Sequence, residues 1–203
     1  MNGDDVALKI TLVGSRFFGA AVLDKLVDLD VRVLQVVAPA ADDRLLLRAQ
    51  ALNLPAIVQG DPRHVPASEI ADGTDLIVTA HTHARIDAEA VAKARLGGIG
   101  YHPSLLPRHR GIAAVEWTIK SGDAIAGGSI YHLAERMDAG AIAAQDWCFV
   151  KPGETARELW ERALAPMGIR LLAQVVAGAS ATGALPAQMQ DEQFATQAPK
   201  LPR

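Results

Sequence analysis

His102 and Asp138 are the two side chains in this 203-residue sequence whose settings best suit acid–base chemistry. His102 closes the stretch Gly98-Ile99-Gly100-Tyr101-His102, and Pro103 forces the chain out of a strand ladder directly afterwards. An imidazole placed there can donate a hydrogen bond to a developing negative charge or exchange a proton. Taken alone, a strand-end histidine reads equally as a ring satisfied by a nearby carbonyl. Asp138 lies in Met137-Asp138-Ala139-Gly140, where Asp-Ala-Gly is ordinary turn chemistry, so alone it reads as a residue capping its own loop.

Other groups carry weaker signals. His81-Thr82-His83 follows a strand ending at Ala80, and with His102 it could form a three-histidine metal site. No carboxylate at helical ligand spacing supports that reading, and no metal is expected. Arg108-His109-Arg110 is a basic cluster that could attract ligand carboxylates, or a solvated loop. Gly14-Ser15-Arg16-Phe17-Phe18-Gly19 has Ala20-Ala21 where a P-loop needs Lys-Ser/Thr, so it reads as a tight strand-to-helix turn. Trp117 falls at helical spacing from Ala113 and Ala114, as a core residue would. Cys148 alternates with Trp147 and Phe149 and reads as a small buried hydrophobe.

Positioning these residues requires a strand–helix alternation, and the pattern supplies one. Strands are predicted at 8–13, 31–37, 56–58, 75–80 and 98–102, with helices at 19–29, 42–52, 87–95 and 111–120. The nearly continuous apolar strands suit a doubly wound, mostly parallel sheet, with ligands beyond the carboxyl ends of the strands. After residue 120 the rhythm changes to two strands, 126–133 and 142–150, and a long helix over 154–176. The segment from Thr182 has three prolines and little periodicity, and it reads as a surface tail.

Composition narrows the partners. The net charge is −3 and basic residues are scattered, which argues against nucleic acid or an anionic membrane surface. With one cysteine no intrachain disulfide can form, which suits the cytoplasm. Met1 to Asp5 has no basic, then apolar, signal pattern, and the apolar run Leu171 to Leu185 is broken by Gln174, Gly178, Ser180 and Gly183.

The string His102-Pro103-Ser104-Leu105-Leu106-Pro107-Arg108-His109-Arg110-Gly111 resembles the signature of the folate-dependent formyltransferase family. The likeness continues through Trp117, Gly122-Asp123 and Met137-Asp138-Ala139-Gly140, and reaches Gln190-Asp191-Glu192 and Ala195 to Lys200. The wording from Tyr101 to Gly111 is shared with the hydrolase domain of 10-formyltetrahydrofolate dehydrogenase. The resemblance implies a Rossmann-like α/β fold in residues 1–181, a tail in 182–203, no second domain, and 10-formyltetrahydrofolate as formyl donor. It also implies His102 and Asp138 as catalytic residues, with Ala80, His81, Thr82, His83, Ser104, Leu105, Met137 and Gly140 around the folate. The family's usual Asn stands two residues before the histidine, and here that place is Gly100. Its absence tilts the expected acceptor towards water, or else a small amine, and Phe17-Phe18 argues against a phosphoribosyl acceptor. Two alternatives remain open: a folate-binding or regulatory homologue with impaired turnover, and a His-ligated metal hydrolase. Oligomeric state is not indicated.

Overall fold

A computed structural model describes residues 7–202 of the chain, and the reading of Met1 to Asp5 lies outside them. The chain forms two compact units, one made of residues up to Gly100 together with Val176–Leu185, the other of Tyr101–Val175 and the segment from Pro186 onwards.

In the first unit the elements run β1 (Leu8–Gly14), α1 (Arg16–Val27), β2 (Val31–Ala38), α2 (Arg44–Ala51), β3 (Ala56–Val58), β4 (His64–Val65), β5 (Leu76–Ala80), β6 (Arg85–Ile86) and α3 (Ala88–Lys93). They lead into β7 (Gly98–His102), which continues into the second unit. Parallel pairing joins β3 to β2, β2 to β1, β1 to β5 and β5 to β7. The continuous apolar strands are there because both sheet faces are covered: Ile10, Leu12, Val36, Leu76, Ile77, Val78 and Ile99 are fully buried. Each such side chain contributes roughly 1.5–3 kcal/mol on leaving water. Helix α1 buries Phe18, Val22, Leu23 and Leu26, a single stripe. Helix α2 is capped by Asp43, whose carboxylate accepts from Leu45 N at 2.8 Å, and ends at Asn53, which takes a left-handed φ of 55°. The chain reverses its winding between β1 and β5, so their carboxyl ends, Gly14 and Ala80, flank the crevice of this sheet. Ser15 N donates to Ala80 O at 3.1 Å, and the first-unit backbone approaches so closely there that position 14 admits only glycine. The short parallel pair of β4 and β6 was beyond the reach of periodicity, being two residues long.

The second unit holds the end of β7, α4 (Ala114–Lys120), β8 (Ile125–His132), β9 (Ile142–Phe149), α5 (Ala156–Leu159) and the first part of α6 (Ala165–Thr182). Strands β8 and β9 pair antiparallel, with Ile125 opposite Phe149 and Gly127 opposite Trp147. Helix α4 starts three residues later than predicted. The backbone before it is engaged elsewhere: Arg110 N donates to Thr196 O at 2.9 Å, Ala198 N to Arg110 O at 2.6 Å, and Ala113 N to Ala198 O at 3.1 Å. The long helix begins with a capping box between Thr155 and Glu158, then opens into a π turn at Trp160–Leu164 before α6. Pro166 explains the widening, since it lacks an N–H and its ring collides with the carbonyl four residues back. Ala156–Thr182 is long and apolar enough to cross a membrane, but 56% of its most apolar window is buried, as in a core helix.

The segment after Thr182 is bound into the second unit from Pro186. Besides the bonds at Arg110 and Ala113, Gln188 and Ile142 exchange backbone hydrogen bonds of 2.9 and 2.7 Å, and Ala198 is fully buried. Two expectations for single residues need correction. Trp117 is only half-buried, donating its Nε1–H to Pro199 O at 2.8 Å under the Lys120 ammonium, because α4 lies at the surface. Cys148 is half-buried on β9, and the flanking Trp147 and Phe149 are exposed.

Candidate active site

Strand β7 ends in His102, whose side chain is only 8% exposed. Its Nε2 lies 2.7 Å from the backbone carbonyl of His109. A carbonyl can only accept, so Nε2 carries the hydrogen. The other ring nitrogen, Nδ1, faces Asp138 Oδ2 at 3.6 Å. One ring nitrogen is thus satisfied by a carbonyl and the other faces a carboxylate. At 3.6 Å the pair is too far apart for a direct hydrogen bond and close enough for both groups to contact one small polar group.

Asp138 is brought there by the loop between β8 and β9. It adopts a left-handed φ of 54°, which aspartate tolerates, and its Oδ2 accepts from Gly111 N at 2.8 Å. Gln190 Nε2 donates to the Asp138 carbonyl at 2.8 Å and to that of Gly140 at 2.6 Å. Tyr131 on β8 stands edge-on to the His102 ring, with centroids 6.4 Å apart and planes at 89°. Burial, together with the Asp138 carboxylate beside its hydroxyl, pushes the Tyr131 phenol well above the ordinary tyrosine range.

The loop after His102 is pinned from several sides. Ser104 Oγ donates to Arg108 O at 2.5 Å, Ser129 Oγ to Ser104 O at 2.6 Å, and Gln145 Nε2 to Leu106 O at 2.9 Å. The Ser104 hydroxyl is thus committed to the loop itself. Leu105 lines a cavity of about 330 Å³ that it shares with Arg108, His109, Thr118 and Asp123, and neither His102 nor Asp138 borders it. Met137 is exposed and Gly140 buried.

Each cation of the basic cluster has an acidic partner, with His109 and Arg110 buried and Arg108 exposed. Arg108 Nη2 spans both Asp123 oxygens at 2.9 and 3.0 Å, and His109 Nε2 lies 2.7 Å from Asp123 Oδ2. Burial acts to raise the Asp123 carboxyl, but the hydrogen bonds from His109 and Arg108 prevail and hold it below the usual range. Arg110, 2% exposed, donates to Gln190 Oε1 and to both oxygens of Glu192.

In the first unit, Ala80 is buried at the end of β5 and His81, Thr82 and His83 form the loop beyond it. Ser15 Oγ donates to the His81 carbonyl at 2.6 Å, His81 has a φ of 59°, and its ring meets that of His83 edge-on at 5.4 Å. Burial, then the neighbouring His83 and Arg16, push the His81 imidazole down. Thr82 Oγ1 accepts from Ala84 N at 3.1 Å. Among the described residues no group of three His, Cys, Asp or Glu side chains is placed to hold a metal ion.

In the sequence reading His109 figured only in a basic cluster and a motif, Asp123 only in a motif, and Tyr131 had no part. Gln190 was noted only as motif, and the facing of Tyr131 depends on the β8–β9 register, which alternation could have suggested.

A winding sheet of parallel strands, with a buried imidazole and a buried carboxylate facing each other at the end of β7, places the chain among α/β proteins. The formyl transferase family model matches residues 14–176. The chain is 34% identical to the mitochondrial 10-formyltetrahydrofolate dehydrogenase of Mus musculus across 93% of its own length and 22% of that protein's. Its fold matches glycinamide ribonucleotide transformylase 1 from Symbiobacterium toebii with a TM-score of 0.76 at 20% identity, covering 92% of this chain and 96% of that one. It also matches an N-formyltransferase from Helicobacter canadensis, solved with folinic acid and dTDP-3-aminofucose, with a TM-score of 0.75 at 13% identity, covering 95% and 71%. The chain belongs to the formyl transferase family. It spans about a fifth of the length of the dehydrogenase it matches.

Proposed function

We propose that this chain removes the formyl group of 10-formyltetrahydrofolate, passing it to water, or to a small amine, through His102 and Asp138. The observation that carries the proposal is His102 Nδ1 facing Asp138 Oδ2 at 3.6 Å while Nε2 stays engaged by a carbonyl. The water oxygen adds to the formyl carbon as Asp138 takes one of its protons. The resulting oxyanion is stabilised by an N–H on His102 Nδ1 in the doubly protonated ring. Collapse breaks the bond from carbon to N10, N10 recovers the proton from the pair, and formate and tetrahydrofolate leave.

Three further points support the reading. The relative named as a 10-formyltetrahydrofolate dehydrogenase and the neighbour solved with folinic acid both point to a folate donor. Gly100, two residues before His102 on β7, offers no side-chain amide to a transfer intermediate. We propose the cytoplasm as compartment, a small-molecule folate as partner, and neither nucleic acid nor membrane.

The test is formate release from a 10-formylfolate analogue by wild type, His102→Ala and Asp138→Ala. Each substitution is expected to lower kcat by about 10²–10⁴-fold. Equal turnover by all three proteins refutes the assignment. Tight analogue binding by wild type with the formyl group retained, with or without small amines present, marks a binding protein instead.

A further inference from the structure

The acceptor that fixes His102 is supplied by an unusual residue. His109 is a non-glycine residue at a φ of 55°, a left-handed conformation that is uncommon outside glycine and costs on the order of 1 kcal/mol. Its support is visible on two sides. Its ring, 6% exposed, lies 2.7 Å from Asp123 Oδ2, and its backbone N–H donates to Thr196 Oγ1 at 2.8 Å. The Asp123 carboxylate is itself held by the Arg108 guanidinium at 2.9 and 3.0 Å. Asp123 makes no contact with His102, so any influence passes through His109.

The influence concerns which nitrogen of His102 carries hydrogen. While the His109 carbonyl sits 2.7 Å from Nε2, the neutral ring has its hydrogen on Nε2 and its lone pair on Nδ1, towards Asp138. If the left-handed residue relaxes, its carbonyl swings away and the ring is free to take either tautomer. We infer that Asp123 and the His109 ring are positioning residues, holding the His109 carbonyl on His102 Nε2 and so setting which nitrogen is presented to Asp138.

The inference rests on the proposed function only for its rate readout, and the tautomer is read separately. Ring ¹⁵N resonances of His102, assigned by their loss in His102→Gln, report the tautomer directly. Wherever the ring is neutral, wild type is expected to show the Nε2–H tautomer alone. In Asp123→Ala both tautomers are expected, with kcat lowered roughly ten- to hundredfold and KM within about twofold. Asp123→Asn, whose amide oxygen still accepts from His109, is expected to restore the single tautomer and most of the rate. Where Asp123→Ala does not fold, His109→Asn carries the same readouts, since asparagine tolerates the positive φ, keeps the carbonyl and lacks the ring. An unchanged His102 tautomer in the folded variant, or a neutral Nδ1–H tautomer in wild type, overturns the inference. A tautomer shift in a protein that never releases formate upholds it and rejects the proposed function.

Discussion

Gln190 spends both hydrogens of its side-chain amide on the loop that carries Asp138, at 2.8 Å to the Asp138 carbonyl and 2.6 Å to that of Gly140. Its oxygen accepts from Arg110 Nε and Nη2 at 3.1 and 2.6 Å. One side chain from the C-terminal segment thus ties the aspartate's loop to the loop that follows His102. Replacing it by alanine leaves buried carbonyls and guanidinium donors unpaired, at about 1–3 kcal/mol for each group left dry. Gln190→Ala is expected to lose at least about 2 kcal/mol, read as a lower urea midpoint at unchanged slope. A midpoint equal to that of wild type would show that the clamp holds nothing.

Gly111 is constrained twice. Its φ is 118°, and a methyl group there would stand 2.8 Å from the Ala198 carbonyl oxygen. Its N–H also supports Asp138 Oδ2. Gly111→Ala is expected to cost about 1–3 kcal/mol and to lower kcat with it. Gly122, with a φ of 67° and open space around it, is the control. Gly122→Ala should cost about 1–2 kcal/mol from backbone conformation alone and leave formate release intact. Thermal melts with parallel activity assays separate the two, and equal loss of kcat in both variants would deny Gly111 its part in holding the carboxylate.

The depressed Asp123 carboxyl predicts a pH dependence of stability. Its ordinary value is 3.8, and the folded value lies below that. A carboxyl depressed by folding contributes stability that is full above the unfolded value and is lost as pH falls through the folded one. Wild type should therefore lose stability relative to Asp123→Asn as pH drops below about 4, the difference between them being constant above about 5. Chemical denaturation at a series of pH values checks this. A difference that does not vary between neutral and acid pH would mean that His109 and Arg108 do not hold the charge.

What could be read from sequence follows from how local each signal is. The strands β1 and β5 announce themselves because burial on both faces leaves an apolar run, and α2 because Asp43 caps it and Asn53 stops it. The pairing of His102 with Asp138 came from motif resemblance, since nothing in the 35 intervening residues shows that a loop will return to the strand end. In the Arg108-His109-Arg110 cluster, charge count reveals the cations but not their partners, which lie 14, 15, 80 and 82 residues away. The service of His109 to His102 uses a backbone carbonyl, a group every residue has, so no residue type could signal it. The segment from Pro186 looked unstructured because its bonds are isolated bridges without periodicity.

Tyr101 offers a test in which two familiar effects oppose each other. Its hydroxyl donates to the Leu164 carbonyl at 2.7 Å, at the end of the π turn, and its ring lies between two glycines. A Cβ on Gly168 would meet the ring's Cε1 and come within 2.6 Å of Cδ1, while one on Gly128 would come within 2.5 Å of Cε2. Gly168 lies in α6, where alanine is ordinarily better than glycine by about 1 kcal/mol. Overpacking a filled site costs about 1–3 kcal/mol, and the ring cannot retreat because Gly128 backs its other side and the hydroxyl is tethered. Gly168→Ala is therefore expected to destabilise the protein by about 1–2 kcal/mol net. With the ring removed in Tyr101→Ala, the same substitution should turn stabilising by up to about 1 kcal/mol. Denaturation of the two single variants and the double variant gives the sign in each background. If Gly168→Ala stabilises wild type, the glycine is not there to seat the tyrosine.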